Sequence, residues 1–109
     1  MKVETNYGDL LYPARWEKEL LVEQKDQPDG VIVSFSTEAD GTVYSLFTAY
    51  LGTEHGDCLG TVTAPDGTEQ PVFIEIHDLP DLSALSTENQ DRLYGMQEGV
   101  NDVISALNH

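Results

Sequence analysis

The chain has 109 residues, 39% of them hydrophobic, and a formal net charge of −15. That length makes one domain with apolar residues enough for a core, which sets aside disorder and a disulfide-stapled miniature. Twenty acids against five bases repel phosphate backbones and anionic lipid, so no nucleic-acid partner is expected.

The bases are unevenly placed. Lys2, Arg15, Lys18 and Lys25 come early, and from Asp26 onward only Arg92 is basic. The one cysteine, Cys58, has no partner within the chain for a disulfide, which favours a reducing compartment. No apolar run reaches membrane-span length and no signal peptide opens the chain, so no membrane span is expected. Location stays open: cytoplasmic if Met1 is the native start, extracytoplasmic if a leader was removed.

In chain order, "YPARWEKE" reads as one or two helical turns, with Pro13 suited to the first helical position. "LLVEQK" reads as a strand, because the Pro28-Asp29-Gly30 turn would pair it with the next segment. That segment, "VIVSFSTE", places Val31, Val33 and Phe35 on one face. After Asp40-Gly41, "TVYSLFTAYL" places Val43, Phe47, Ala49 and Leu51 on one face and Tyr44, Leu46 and Tyr50 on the other. "CLGTVTA" is a short strand. Past Pro65-Asp66-Gly67, "VFIEIHD" sets Val72, Ile74 and Ile76 against Phe73, Glu75 and His77. Pro71 cannot donate to a ladder, so this strand is expected to begin after it or to lie at an edge there. Turns of this kind at such spacing suit consecutive antiparallel strands.

The last segment, "STENQDRLYGMQEGVNDVISALN", carries Leu93, Met96, Val100, Val103, Ile104 and Leu107 at three- and four-residue spacing, one apolar helical stripe. Thr87 with Gln90 fits a capping box. Gly95 and Gly99, four apart, leave one flank of the helix bare, which suits a close packing contact.

"LGTEHGDCLGT", Leu51 to Thr61, gathers Glu54, His55, Asp57 and Cys58. Zinc sites need several such side chains converging, usually from two separate pairs, and no second pair is present. The mirrored Leu-Gly-Thr flanks suit the tip of a hairpin. Cys58 sits in an acidic region, which opposes the thiolate a nucleophile needs. A metal-dependent or hydrolytic site around His55, Cys58 and His77 is kept as the alternative. No nucleophile elbow, phosphate loop or EF-hand loop occurs. No cofactor is expected.

The segments "YGDLLYPARWEKEL", "GVIVSFSTEADGTVYSLFTAYLG" and "LSTENQDRLYGMQEGVNDVI" resemble small acidic domains of Gram-positive gut bacteria, a family without an assigned function. In element order the chain looks more distantly like the PsbP/Mog1-type α/β/α sandwich, whose members are accessory and binding factors.

The expected fold is α+β: an antiparallel β-meander of about five strands, a short N-terminal helix, and a C-terminal amphipathic helix packed on one face, all within residues 1–109 as a single domain. The leading expectation for function is a non-enzymatic binding domain acting through an aromatic sheet face of Tyr44, Leu46, Tyr50 and Phe73. A protein partner or a homodimer would occupy that face. Purely electrostatic recognition of a basic partner is a further reading.

Overall fold

The structure is a computed structural model that describes residues 2–16, 18–52 and 58–107, without the side chain of residue 15. It is α+β. Strands β1 (Lys2–Thr5) and β2 (Gly8–Leu11) form a hairpin, and a 3-10 turn follows at Ala14–Trp16. Strands β3 (Leu20–Gln27), β4 (Gly30–Ala39), β5 (Thr42–Leu51), β6 (Cys58–Thr63) and β7 (Glu69–Ile76) build one antiparallel sheet in the order β3-β4-β5-β7-β6. Helices α1 (Thr87–Glu98) and α2 (Val100–Ser105) close the chain, joined at Gly99.

Local chemistry explains most of the elements. Pro28-Asp29 is a two-residue loop between the paired Gln27 and Gly30. Asp40 and Gly41 both take positive φ, at 50° and 80°, the mirror-image turn whose twist matches the flanking strands. Asp66 Oδ1 accepts the Thr68 N–H at 2.9 Å and tightens the β6–β7 turn. Pro13 opens the 3-10 turn, and its carbonyl accepts the Trp16 N–H at 3.1 Å.

One face of the large sheet is the core face. Val31 pairs with Leu51, Val33 with Ala49 and Phe35 with Phe47, and all six are buried. The Phe35 and Phe47 rings stack at 4.6 Å. Fully burying each such large side chain stabilises the fold by about 1.5–3 kcal/mol.

Two covers share this face. The β1–β2 hairpin spans it from β6 to β3. At the β6 end Gly8 lies so close to Val62 that a Cβ would sit 2.5 Å from Cγ2. At the β3 end Gln24 Nε2 donates to the Glu4 carbonyl at 3.0 Å. Val3 and Leu10 are the buried hairpin residues. The helices cover the remainder with Leu93, Met96, Val100 and Val103. Gln97 Nε2 of α1 donates to the carbonyls of Leu46 and His77, and Arg92 Nη2 donates to the Glu38 carbonyl at 2.6 Å. Trp16 is buried beside Phe47, ring centroids 6.4 Å apart, and against Gly99. The helical elements therefore all lie on the core side, which departs from the three-layered α/β/α sandwich.

Several local expectations change. β5 and β6 are not neighbours, because β7 lies between them; "LGTEHGDCLGT" is thus not a hairpin tip, and residues 53–57, His55 among them, lie outside the described residues. β7 begins at Glu69, before Pro71. The Pro71 carbonyl accepts the Gly52 N–H at 3.3 Å. The N–H that proline lacks would point the same way, toward the place where β5 ends, so little pairing is lost. The helix cap is Ser86, whose Oγ accepts the Asn89 N–H at 3.2 Å, one residue before the Thr87–Gln90 box.

Candidate functional site

The four residues expected on one aromatic face do not share it. Phe35 pairs with Phe47 but Ser36 pairs with Ser45, so Leu46 is an extra residue, a β-bulge. A bulge shifts the alternation of every residue beyond it. Tyr44 now pairs with Thr37, on the core side, and packs half-buried against the core. Leu46 is fully buried in that core. Val43, expected beside Phe47, is 57% exposed. Only Tyr50 and Phe73 stay together, as a direct cross-strand pair.

That pair lies on the face that neither the hairpin nor the helices cover. The register carries it across the whole sheet: Lys25 faces Ile32, Ile32 faces Tyr50, Tyr50 faces Phe73, and Phe73 faces Cys58. The result is one row, cation at one edge, thiol at the other, two aromatics and an isoleucine between. Direct cross-strand neighbours interact most strongly within a sheet, and aromatic pairs are among the best. Ile32 and Tyr50 are half-buried and Cys58 is exposed, whereas Phe73 is 7% exposed. Trp16 and the N-terminal strands, the obvious candidates to cover this face, pack on the opposite side.

No family model, curated protein or solved structure matches the chain.

Beside the row runs a polar one. Tyr50 Oη donates to Glu75 Oε2 at 3.1 Å. Burial, and then this bond to Glu75, hold the Tyr50 phenol above the ordinary tyrosine pKa. Thr48 pairs with Glu75, and its Oγ1 lies 2.7 Å from His77 Nε2. The His77 N–H also bonds the carbonyl of the bulge residue Leu46 at 3.1 Å. The bulge, the strand end and the helix side chain Gln97 thus brace one another directly behind this part of the face. That bracing holds Tyr50 and Phe73 on an ordered frame.

Of the alternative constellation, the described members Cys58 and His77 are not brought together; His55 lies outside the described residues. Cys58 lies opposite Phe73, four residues along from His77, roughly 13 Å at the rise of an extended strand. Cys58 Sγ is bonded to the Gly60 carbonyl at 3.2 Å. Among the described residues no group of three His, Cys, Asp or Glu side chains could hold a metal ion. Thr48 and His77 form a hydroxyl–imidazole pair, but Thr48 is only 6% exposed and a nucleophile must reach its substrate. No helix among the described residues is long and apolar enough to cross a membrane.

Ile32 and the Thr48–His77 pair were missed in the sequence. The signal for Ile32 was available: pairing from the Pro28-Asp29 loop puts it opposite Lys25, on the same face as Tyr50 once the two hairpins are counted out. Nothing local marks Thr48.

Proposed function

We propose that the chain is a non-enzymatic interaction domain that binds a protein partner through the sheet face that no described element covers, centred on Ile32 and Tyr50 with Phe73 behind them. The cross-strand row from Lys25 to Cys58 carries this reading. It offers apolar and aromatic surface with a hydroxyl tip on Tyr50, flanked by Ser34, Glu75 and Lys25. Interfaces favour that composition, aromatic residues at the centre and polar groups around them. Tyr50 supplies contact area at little entropic cost, because Glu75 already orients it. The face is polar enough to stand in water unbound, as one-sided antiparallel sheets do.

A photo-crosslinking residue placed at Ser34, in the cells that make the protein, tests it. A discrete crosslinked partner is expected from Ser34, absent from a crosslinker placed at Asp102 on the helical side, and lost on Tyr50→Ala. Equal crosslinking from both positions would end the proposal.

A further inference from the structure

β3 is an edge strand of eight residues, and all but its two end residues are exposed. Leu21 and Val22 are 46% and 38% exposed. Among the described residues only β4 pairs with it, and its outer edge receives no main-chain hydrogen bond. Long edge strands are usually blunted by proline, a bulge, a covering element or charged side chains. β3 has none of the first three among the described residues, and its charges, Glu23, Lys25 and Asp26, restrict which partner edge it can accept.

The direction of its free groups follows from the loop. A two-residue loop is closed by a pair that exchanges hydrogen bonds, here Gln27 and Gly30, and such pairs alternate along the ladder. Lys25, Glu23 and Leu21 therefore aim their N–H and C=O at β4. Val22, Gln24 and Asp26 present theirs to solvent.

We infer that this edge pairs with the same edge of a second copy, antiparallel about a two-fold axis through Gln24. Symmetry and the alternation leave few registers. An axis at Glu23, Lys25 or Asp26 sets like charges against themselves. Within β3 an axis at Leu21 or Val22 pairs no opposite charges. The apolar-against-acid contact of the Val22 axis, Leu21 opposite Glu23, is matched in the Gln24 register by Val22 opposite Asp26 and does not decide between them. The axis at Gln24 alone sets opposite charges together: Glu23 of each copy opposite Lys25 of the other, twice. Those two positions are the non-hydrogen-bonded pairs, whose side chains approach more closely. The same register lets Val22, Gln24 and Asp26 exchange their free main-chain bonds.

The charge distribution favours this edge over any other contact between two chains of −15. Up to Lys25, four bases stand against five acids; beyond it, Arg92 alone stands against fifteen. The first quarter of the chain, which ends in β3, is nearly neutral, so two copies meet there with the least repulsion. The product is one continuous sheet of both chains, with the uncovered faces side by side.

Sedimentation velocity from micromolar to millimolar concentration tests it on the whole chain. A concentration-dependent dimer is expected. Lys25→Glu turns two attractive pairs repulsive and should raise the dissociation constant about tenfold to thirtyfold. The double variant Glu23→Lys with Lys25→Glu restores the complementarity and should return it to within about threefold. Both positions are exposed, so the fold survives. Tyr50→Ala, on the adjoining face, should leave the dimer unchanged. A monomer throughout, a dimer indifferent to Lys25→Glu, a double variant no better than the single one, or a dimer broken by Tyr50→Ala would each overturn the inference. None of these outcomes depends on whether the face binds another protein.

Discussion

Gly95 and Gly99 stand four residues apart on the helix, and their alanine variants should move stability in opposite directions. Gly99 is the cap between α1 and α2, where glycine carries no cost in helix propensity relative to alanine. Gly95 lies inside α1, where glycine costs about 1 kcal/mol relative to alanine. Nothing lies within 4 Å of where a Cβ would sit at Gly95, so Gly95→Ala should gain most of that. At Gly99 the Cβ would fall 1.9 Å from Trp16 Cζ2 and 2.4 Å from Cη2. The backbone there is helical, φ −63°, so the glycine is required by the indole and not by its dihedral angle. Trp16 is 3% exposed and wedged beside Phe47, so the rigid ring has nowhere easy to go. Overpacking of this kind costs roughly 1–3 kcal/mol, and with no helix gain to offset it at a cap position Gly99→Ala should cost about 2 kcal/mol. For a domain of this size 1 kcal/mol moves the melting temperature by about 4 °C. Thermal unfolding by circular dichroism should show Gly95→Ala melting about 4 °C higher and Gly99→Ala about 8 °C lower. In a double-mutant cycle, Trp16→Phe should cost less in the Gly99→Ala background than in the native one. Equal shifts of one sign at both glycines, or no coupling between Gly99 and Trp16, would refute the packing account.

Phe35→Ala empties one half of the Phe35–Phe47 stack and should destabilise by about 3–5 kcal/mol in urea unfolding. Gln97→Ala removes the donor shared by the Leu46 and His77 carbonyls and should cost about 1–2 kcal/mol, with the amide of His77 exchanging faster. Asp66 and Asp81 each accept a backbone N–H, from Thr68 and Ser83, which lowers their pKa values. Their stabilising contribution is present above the ordinary carboxyl pKa and is lost as pH falls through the lower folded values. In carboxyl-carbon NMR titration both should therefore titrate below ordinary aspartates. Tyr50 shifts the other way: its contribution holds below the ordinary tyrosine pKa and fades as pH rises through the higher folded value. Ultraviolet titration should show it ionising late, and Glu75→Gln should reverse only part of that shift, since burial is the larger cause.

The elements that were legible in the sequence are those whose causes are local. The turns at Pro28-Asp29, Asp40-Gly41 and Pro65-Asp66-Gly67, the alternation of Val31, Val33 and Phe35, and the stripe from Leu93 to Leu107 each depend on a few neighbouring residues. The failures come from contacts distant in sequence. A bulge at Leu46 leaves no local mark, because one extra residue is accepted only where Gln97 and His77 hold its carbonyl. Counting alternation through it put Tyr44 and Leu46 on the wrong side, so that half of the expected aromatic face consists of residues that belong to the core side. The insertion of β7 between β5 and β6 is a choice of partner, which alternation within a strand does not encode. The β1–β2 hairpin is four residues a side, too short for a pattern, and stands because Val3, Leu10 and Gly8 find the core.

If the face carrying Ile32, Tyr50 and Phe73 is the binding surface, it must respond to binders before any other part of the molecule. Amide correlation spectra of the labelled protein, titrated with a library of short peptides of varied hydrophobic and aromatic content, test it most directly. Shifts from any binder should cluster on residues 32–34, 48–50 and 73–75 and vanish with Tyr50→Ala. Shifts that cluster on the β1–β2 hairpin or on the helices, and survive Tyr50→Ala, would contradict it.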